Sequence, residues 1–474
     1  MRIALVHPAG SNWIPGRRDI TATANRMAPL GLLSIAAYLR ERGHEVFVHD
    51  CLGPGAPRGF EENCRAVESL RPELVGFSVT TSGFHDASDM ASSLKRSLPS
   101  SRNVFGGVHA SAMGAALMQE FPVIDCLCIG EGEMPLSELA EGKDLRSIKG
   151  LVWRDGEKIV SNGAGLPVPD LDSLPFPAYD LLPGFPRGYN LPLFSFIRTP
   201  GATMITSRGC PYQCSYCDRS VFKKSYRYNS AGYIYEHMKY LRSEYGVRHL
   251  NIYDDLFTLH RERIEDLCGR LIRKPLGIQF NCAVRVGHAG DDLLSLLKRA
   301  GCLMVSVGIE SADPAMLRRH KSGVTTEQVR DTVERIHLSG LRAKGLFMMG
   351  LPGETEDSVR RTREFLLSLR LDDMNMTKFT PFPGAPIWKT IRDEGEFTED
   401  WKLMNCLNFV FIPRGMGTRD RMDRLYADVV SSFYLSRRFR INFMKRLWQH
   451  RSSIAYLLRH LPSFIEAKRS FETD

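Results

Sequence analysis

Residues 207–218 read Ser-Arg-Gly-Cys-Pro-Tyr-Gln-Cys-Ser-Tyr-Cys-Asp and carry Cys210, Cys214 and Cys217 in the spacing C-x3-C-x2-C. An apolar stretch that predicts a β-strand precedes them, so the thiols are expected in the loop after that strand. Three thiolates in one short loop can bind three irons of a 4Fe-4S cluster and leave the fourth iron without a protein ligand. A zinc site is the alternative, but structural zinc usually has four ligands, and no further Cys or His lies at conventional spacing nearby.

The stretch around these cysteines alternates regularly between strand-like and helix-like segments. Six strand-like segments, each followed by a helical stretch, favour a full or partial βα (TIM-type) barrel over residues 199–395, with its chemistry at the carboxyl ends of the strands. The six segments are GATMITSRG (201–209), HLNIYDD (249–255), GIQFNCAVR (277–285), CLMVSVGIES (302–311), LRAKGLFMMGLPGE (341–354) and MNMTKFTPFPG (374–384).

Residues 1–145 show a second alternation of strands and helices, which predicts a doubly wound (Rossmann-like) parallel sheet. Ligands of such sheets bind at the carboxyl ends of the strands. The loops expected there are small and flexible: Thr80-Thr81-Ser82, Gly106-Gly107 and Gly130-Glu131. They suit the close approach of a large flat or phosphate-bearing ligand, although glycines that merely form tight turns are the alternative.

Two further segments complete the predicted organisation. Residues 146–198 are rich in proline, which disfavours helix and central strand, and are interpreted as an extended connector. Residues 396–474 predict a basic helical region.

Composition limits the class of protein. The chain has 474 residues, 43% hydrophobic and 25% charged, with a net charge of +9, as expected of a multidomain globular protein. No apolar run approaches the length of a membrane span and the N-terminus shows no signal-peptide pattern, so we expect a cytoplasmic protein. Its eleven cysteines therefore predict metal or redox chemistry rather than disulfides.

The three cysteines, with the aromatic Tyr216 before the third, resemble the signature of the radical S-adenosylmethionine (SAM) enzymes. The resemblance implies that SAM chelates the open iron and that one-electron reduction cleaves it to a deoxyadenosyl radical. It also implies a one-electron reductant such as flavodoxin or ferredoxin as a partner. By the same resemblance, cofactor contacts come from Tyr216, Asp254, Arg285, Glu310, Met348 and Gly350.

The N-terminal loops resemble those of the cobalamin-binding domain that precedes the barrel in cobalamin-dependent radical SAM enzymes. The resemblance implies cobalamin contacts from Thr80, Thr81, Ser82, Gly106, Gly107, Gly130 and Glu131. The D-x-H-x-x-G motif, which places a histidine on cobalt in many cobalamin proteins, is absent. We therefore expect no protein ligand on cobalt, with His7 and His85 as ordinary residues.

Several reactions are compatible with this resemblance. The first is C-methylation of an unactivated carbon, and the second is a ring-forming or ring-contracting rearrangement, as in the anaerobic Mg-protoporphyrin monomethyl ester cyclase or hopanoid-modifying radical SAM proteins. A tRNA methylthiotransferase-like activity is the third, but its family resemblance would require a second three-cysteine cluster ahead of the barrel. A non-enzymatic cobalamin or iron–sulfur sensor would leave the SAM loops without a purpose.

The composition of the C-terminal region indicates which partners the protein could bind. Between Arg421 and Arg469 it has eleven Arg or Lys against three acids, interleaved with aromatic residues. A helix of this composition can lie on an anionic membrane, which favours a hydrophobic, lipid or tetrapyrrole substrate. A helical cap packed on the barrel is the alternative, and nucleic acid is disfavoured as a partner.

Overall fold

The computed structural model describes residues 1–10, 26–57, 59–189, 191–192, 194–321 and 323–459. Contacts divide the chain into two compact units. Unit 1 consists of Met1–Pro192, Asp218–Tyr228 and the chain from Leu457, and unit 2 consists of Leu193–Cys217 and Asn229–Tyr456.

Unit 1 is built on a seven-stranded sheet with the strand order β2-β1-β3-β4-β5-β6-β7. The first five of these strands are parallel, and β6 and β7 are antiparallel additions at one edge. The elements are β1 (Arg2–His7), α1 (Leu30–Arg40), β2 (Glu45–Asp50), α2 (Phe60–Ser69), β3 (Leu74–Ser78), α3 (Phe84–Ser97), β4 (Arg102–Gly106), α4 (Val108–Met113), α5 (Ala115–Glu120), β5 (Cys126–Cys128), α6 (Glu133–Ala140), β6 (Leu151–Asp155) and β7 (Lys158–Ser161).

The parallel part of this sheet confirms the predicted doubly wound fold. Strand β1 has four consecutive buried residues, Ile3 to Val6, because both faces of the sheet are covered. The β6–β7 hairpin lies inside the segment interpreted as an extended connector. The rest of that segment forms two short 3-10 turns at Leu171–Ser173 and Tyr179–Leu181.

Unit 2 is built on an open sheet of six parallel strands in the order β15-β14-β13-β12-β11-β8, which confirms the predicted partial barrel. The six strands are the six segments predicted from the sequence. The elements are β8 (Gly201–Met204), β9 (Ser207–Arg208), β10 (Arg227–Tyr228, in unit 1), α7 (Ala231–Tyr245), β11 (His249–Ile252), α8 (Arg261–Arg273), β12 (Gln279–Val284), α9 (Asp291–Arg299), β13 (Cys302–Glu310), α10 (Pro314–His320), α11 (Thr326–Leu338), β14 (Arg342–Met349), α12 (Glu356–Ser368), β15 (Asp373–Lys378), α13 (Ile391–Glu394), β16 (Gly395–Phe397), β17 (Phe411–Pro413), α14 (Arg419–Tyr434), α15 (Arg437–Arg446) and α16 (Arg451–Arg459).

The residues of β14 alternate between the two faces of the barrel sheet. Ala343, Phe347 and Met349 are buried against the surrounding helices, while the intervening residues are only partly buried and point into the lumen. Helix boundaries follow local chemistry: Thr325 and Gln328 form a capping box at the start of α11. Because all six strands are parallel, their carboxyl ends lie at one rim of the barrel.

Helix α14 covers the free edge of β15. The Tyr426 hydroxyl donates to the Met376 carbonyl at 2.8 Å, and the Tyr434 hydroxyl donates to the Met374 carbonyl at 2.8 Å. Two edge carbonyls that have no neighbouring strand are thereby satisfied.

The aromatic residues of the C-terminal region point largely inward rather than outward. Phe433 is buried, and the Phe439 ring lies 5.2 Å from it and 5.9 Å from the Phe443 ring. Phe443 also contacts Phe194 at 5.0 Å between centroids. This packing favours the helical-cap alternative for these residues. Phe464, another aromatic residue of the predicted basic helical region, lies outside the described residues.

None of the helices in the described residues combines the length and the apolar character that a membrane span requires.

Candidate active site

The cluster loop, residues 209–217, starts from a buried hydrogen-bond network. The Asp254 carboxylate accepts hydrogen bonds from the Thr206 amide and hydroxyl, both at 2.5 Å, and from the Ser207 amide at 3.2 Å. Arg263 lies 3.6 Å from the same carboxylate. Burial raises the pKa of Asp254, although Arg263 opposes this shift. The carboxylate predicted to contact SAM therefore holds the chain that enters the cluster loop.

The thiols of the cluster loop lie close together. Cys214 and Cys217 form a hydrogen bond between their side chains, which lowers the pKa of Cys214 and raises that of Cys217. Lys321 also lowers the pKa of Cys214. The Cys210 pKa is raised by burial, against the influence of Arg285.

The donor set suits an iron–sulfur cluster better than a single metal ion. Among the described residues, no three His, Cys, Asp or Glu side chains surround one point as ligands of a single ion would. A 4Fe-4S cluster has a different requirement, because each thiolate binds a separate iron. Three neighbouring thiols near Lys321 and Arg285 therefore fit the cluster, whose negative charge these cations would balance.

The residue that follows β12, Arg285, makes a further contact with the cluster loop. The Arg285 guanidinium stacks on the Tyr212 ring at 3.8 Å, and the Tyr212 hydroxyl lies 2.5 Å from His288 Nε2. Arg285, predicted to meet the SAM carboxylate, thus lies against the cluster loop, and Tyr212 and His288 were not foreseen.

Tyr216 lies in the cluster loop, and Met348 lies near the end of β14. Both pack against an apolar cluster that contains Leu351, Phe379, Ala385, Ile387, Ile391 and Phe411. The Tyr216 hydroxyl also hydrogen-bonds to Cys214. An aromatic ring beside the thiols is thereby fixed in an apolar surrounding.

Glu310 ends β13 in an unusual backbone conformation. Its φ is +66°, and the pairing of β13 with β14 shifts between Gly308 and Glu310. A positive φ at a non-glycine residue is strained and is often found at functional sites. Burial is the main cause of the raised pKa of Tyr216, and the hydrogen bond with Cys214 is the main cause for the raised pKa of Cys217. The negative charge of Glu310 adds to both shifts, so the carboxylate lies near the cluster loop.

Gly350 begins the loop after β14, and its role is conformational. Its φ is +100°, and an added Cβ would lie 3.2 Å from Met422 Cε and from Phe409 Cε1. The Gly350 amide donates to the buried Glu354 carboxylate. A side chain at position 350 is therefore excluded by both backbone and packing.

In unit 1, small residues lie at the carboxyl ends of three neighbouring strands. Gly107, after β4, has a φ of +94°, and an added Cβ would lie 3.0 Å from the Val79 backbone nitrogen and oxygen. Thr81, after β3, is buried with its hydroxyl 3.2 Å from His109 Nδ1. Burial lowers the pKa of His109 to about 4. The remaining predicted residues, Thr80, Ser82, Gly106 and Gly130, are exposed or half-buried along the same edge, so this edge fits a large flat ligand such as cobalamin.

Glu131, also predicted to contact cobalamin, has other partners. Its carboxylate forms an ion pair with Arg227 and accepts a hydrogen bond from the Val168 amide at 3.2 Å. Arg227 also donates to the Val168 carbonyl. Glu131 thus links three segments of unit 1.

The two candidate cobalt ligands are placed differently. His7 Nδ1 lies 2.8 Å from Asp50 Oδ1, and the other Asp50 oxygen accepts from the Tyr189 hydroxyl at 3.0 Å. His85 lies among aromatic rings, 5.8 Å from Phe84 and 6.1 Å from Phe121 between centroids. The absence of a histidine on cobalt stays a prediction.

Sequence reasoning missed three polar residues of unit 2 that contact the site: Ser215, His320 and Lys321. A signal existed in the sequence, because His320 and Lys321 follow Glu310 after one short amphipathic helix.

Comparison with known proteins agrees with this architecture. Residues 204–366 match the radical SAM superfamily, and residues 17–140 match the B12 binding domain. An uncharacterized methyltransferase from Pyrococcus horikoshii is 31% identical over 441 residues, which are 92% of this chain and 93% of that protein. The anaerobic magnesium-protoporphyrin IX monomethyl ester cyclase of Rubrivivax gelatinosus is 25% identical over 93% of this chain and 78% of its own length.

A solved structure has the same fold. The radical S-adenosylmethionine methyltransferase TsrM from Kitasatospora setae, solved with cobalamin and a [4Fe-4S] cluster, superposes with a TM-score of 0.65 at 20% identity. The match covers 90% of this chain and 81% of that chain.

Proposed function

The chain belongs to the radical SAM superfamily with a B12-binding domain, and from this membership we propose that it methylates an unactivated carbon of a hydrophobic lipid, hopanoid or tetrapyrrole. It is a cobalamin-dependent radical SAM enzyme of the methyltransferase type, and its cofactors are a 4Fe-4S cluster, SAM and cobalamin. When bound, these groups supply a deoxyadenosyl radical and a transferable methyl group.

The observation that carries the substrate class is a pair of exposed apolar side chains at the barrel rim. Ile205 and Tyr253 are 44% and 41% exposed and follow the paired residues Met204 and Ile252 of β8 and β11. Continuing the register sets them side by side on the lumen face. Exposed neighbouring apolar groups at the active rim of a barrel favour a hydrophobic substrate.

Deeper in the lumen the lining is polar. Ser306 and Lys344 are paired across β13 and β14, and Lys344 Nζ lies 2.8 Å from Asp373 Oδ2 on β15. A substrate with an apolar body and a polar end would match both parts. Tetrapyrrole carboxylates and lipid headgroups both have this character.

The protein's own residues would position the reactants. We propose that Cys210, Cys214 and Cys217 hold the cluster, while Tyr216, Arg285, Glu310 and Met348 line the SAM site. The substrate would lie over the rim, where apolar walls exclude water from a reactive intermediate. A one-electron reductant such as flavodoxin or ferredoxin completes the proposed reaction.

Product analysis tests the proposal. Anaerobically reconstituted enzyme, loaded with cobalamin, is incubated with SAM, reductant and candidate lipids or tetrapyrroles. Methyl transfer predicts deoxyadenosine, S-adenosylhomocysteine and a product heavier by one CH2 group. Replacing Ile205 with Asp should weaken binding of an apolar substrate without loss of iron. SAM cleavage stimulated only by polar metabolites would contradict the substrate class.

A ring-forming or ring-contracting reaction is the second candidate, favoured by the similarity to the Rubrivivax cyclase. The same assay separates the two reactions, because cyclisation would produce deoxyadenosine without S-adenosylhomocysteine and without the mass of a methyl group. The tRNA methylthiotransferase-like alternative lacks the second three-cysteine cluster that its family resemblance would require.

We also propose that the C-terminal region docks on an anionic membrane through the exposed side chains of Leu435, Ile441, Met444 and Trp448. Exposed Arg437, Arg440, Lys445 and Arg451 flank these apolar residues, and Arg451 lies 5.7 Å above the Trp448 ring. Each such cation contributes about 1 kcal/mol near an anionic surface.

Flotation with vesicles of anionic phospholipid tests the docking proposal. The wild type should float at low salt, and the M444E/W448E variant should stay in the dense fraction. Leu338→Glu is a matched control, since Leu338 is as exposed as Trp448, at 78%, but lies on α11. Equal flotation of both variants would show that the C-terminal region has a structural role and does not bind the membrane.

A further inference from the structure

Two adjacent buried polar residues end helix α10 beside the cluster loop. The helix begins at its cap Asp313, three residues after Glu310, and ends at His320, followed by Lys321. His320 is 2% exposed and Lys321 is 6% exposed. Buried polar side chains need hydrogen-bond partners, and the partners here all belong to the candidate SAM site.

His320 connects the cluster loop with the loop after β14. Its Nε2 lies 2.8 Å from the Pro352 carbonyl, which can only accept, so Nε2 carries the proton. In the neutral ring Nδ1 is then an acceptor, and it receives the Ser215 hydroxyl at 2.7 Å. The Ser215 amide also donates to the His320 carbonyl at 3.1 Å. Ser215, between Cys214 and Tyr216, is therefore held twice by one residue.

Lys321 fixes the strained end of β13. Its Nζ donates to the Gly308 carbonyl and to Glu310 Oε1, both at 2.8 Å. Gly308 leaves room for this amine, because an added Cβ would lie 2.6 Å from Nζ. The positive φ of Glu310 needs surrounding structure to maintain it, and this ion pair supplies a direct constraint.

We propose that His320 and Lys321 are a pair of positioning residues that hold the cluster loop, Glu310 and the 350–354 loop in the arrangement that binds SAM. The inference rests on the proposed SAM site. His320 fixes two loops against each other, and Lys321 orients the carboxylate. Because both residues lie at the C-terminal end of α10, a displacement of this helix would disturb all three elements together.

The two residues should affect different steps. Lys321 donates a hydrogen bond to Glu310, whereas it acts on the cluster loop through its charge, so its loss should weaken SAM binding more than it lowers the iron content. His320 contacts both loops, so its loss should also disturb the cluster environment. Removing an outer partner of a metal or cofactor site typically costs about 10- to 100-fold in affinity or activity.

Isosteric variants separate these contacts. Lys321→Met removes the charge at similar length, and Lys321→Arg restores it. His320→Asn keeps an acceptor near the Nδ1 position, and His320→Gln keeps a donor near the Nε2 position. Arg318→Met is the matched control, because Arg318 is an exposed base on the same helix.

The experiment uses the anaerobically reconstituted full chain and needs no substrate. Iron and sulfide content, the SAM dissociation constant from equilibrium dialysis, and the electron paramagnetic resonance spectrum of the reduced cluster with and without SAM are measured. We expect Lys321→Met to keep most of the wild-type iron and to bind SAM about 10-fold or more weakly. Lys321→Arg should recover part of the loss, and Arg318→Met should match the wild type.

The possible failures are distinguishable. If the wild type binds neither iron nor SAM, the proposed function is wrong. If the wild type binds both and Lys321→Met binds SAM equally well with an unchanged SAM-dependent spectrum, the positioning role of Lys321 is wrong. If His320→Asn and His320→Gln fold with wild-type iron, SAM affinity and spectrum, the role of His320 is wrong.

Discussion

The Glu131 carboxylate and the Arg227 guanidinium form an ion pair in unit 1, where their side chains are 3% and 16% exposed. Both residues also bond to the backbone of Val168. The loop after β5, the proline-rich segment and the segment that follows Cys217 in the chain are therefore joined at one point. Removing one partner of such a buried ion pair destabilises the fold strongly, because the remaining charge is left buried without a counter-charge.

Arg227→Met should therefore destabilise the protein strongly. Leaving the Glu131 charge buried is expected to lower the free energy of unfolding by about 3–5 kcal/mol. Denaturant unfolding measures this change. Arg146→Met is the control, because the Arg146–Asp155 pair is exposed and should contribute less than about 1 kcal/mol. Similar losses for the two variants would contradict a structural role for the Glu131–Arg227 pair.

Asp254→Asn should impair assembly of the cluster site. The amide cannot accept all the hydrogen bonds that Thr206 and Ser207 donate to the carboxylate, and it leaves Arg263 without a buried counter-charge. We expect a lower melting temperature together with less bound iron after reconstitution. Asp266→Asn is the control, since Asp266 is an exposed carboxylate on α8, the helix that also carries Arg263. Full iron loading and unchanged melting in Asp254→Asn would show that the network is dispensable.

The tyrosines of α14 give a prediction about the barrel edge. Tyr426→Phe and Tyr434→Phe each leave a carbonyl of β15 without its donor, which should cost about 1–3 kcal/mol per variant. The double variant should also aggregate more on mild heating, as measured by light scattering, because the edge becomes available to other chains. Tyr235→Phe should cost less, since the hydroxyl of Tyr235 meets an exposed carbonyl that water can satisfy.

The periodicity of the sequence was sufficient for both sheets. The run IALV (residues 3–6) is apolar because β1 is covered on both faces, and the alternation in Arg342–Met349 follows from a lumen on one side and helices on the other. The β6–β7 hairpin was missed because prolines dominate the rest of its segment. Its turn contains Asp155-Gly156, with Gly156 at a φ of +62°, and Asp-Gly is a recognisable hairpin signal.

The site was predictable only where chemistry lies in a short motif. Cys210, Cys214, Cys217 and Tyr216 are close in sequence, so their spacing alone predicts a common role. The bond between Ser215 and His320 joins residues 105 positions apart, and no local pattern specifies it. The cofactor contacts of Asp254 and Glu131 stay predictions, whereas their hydrogen bonds and ion pair within the protein could not be read from their positions in the sequence.

Glu354, in the loop after β14, predicts an unusual dependence of stability on pH. Its carboxyl is buried and accepts from the Gly350 amide. Burial raises the pKa of Glu354 from 4.5 to about 8, with a smaller contribution from the charge of Asp313. Between these two values the folded protein keeps a proton that the unfolded chain has released. The contribution of Glu354 to stability therefore falls as the pH rises from about 4.5 to about 8.

Glu354→Gln removes this titration while keeping a carbonyl oxygen that can accept from Gly350. Relative to the wild type, the variant should become progressively more stable as the pH rises from 5 to 8, by up to about 1.4 kcal/mol per pH unit. Denaturant unfolding at several pH values in that range measures the difference. Glu364 is exposed on α12, the helix that follows Glu354, so Glu364→Gln controls for the loss of a carboxylate. A stability difference between Glu354→Gln and the wild type that stays constant with pH would mean that Glu354 is ionised in the folded protein.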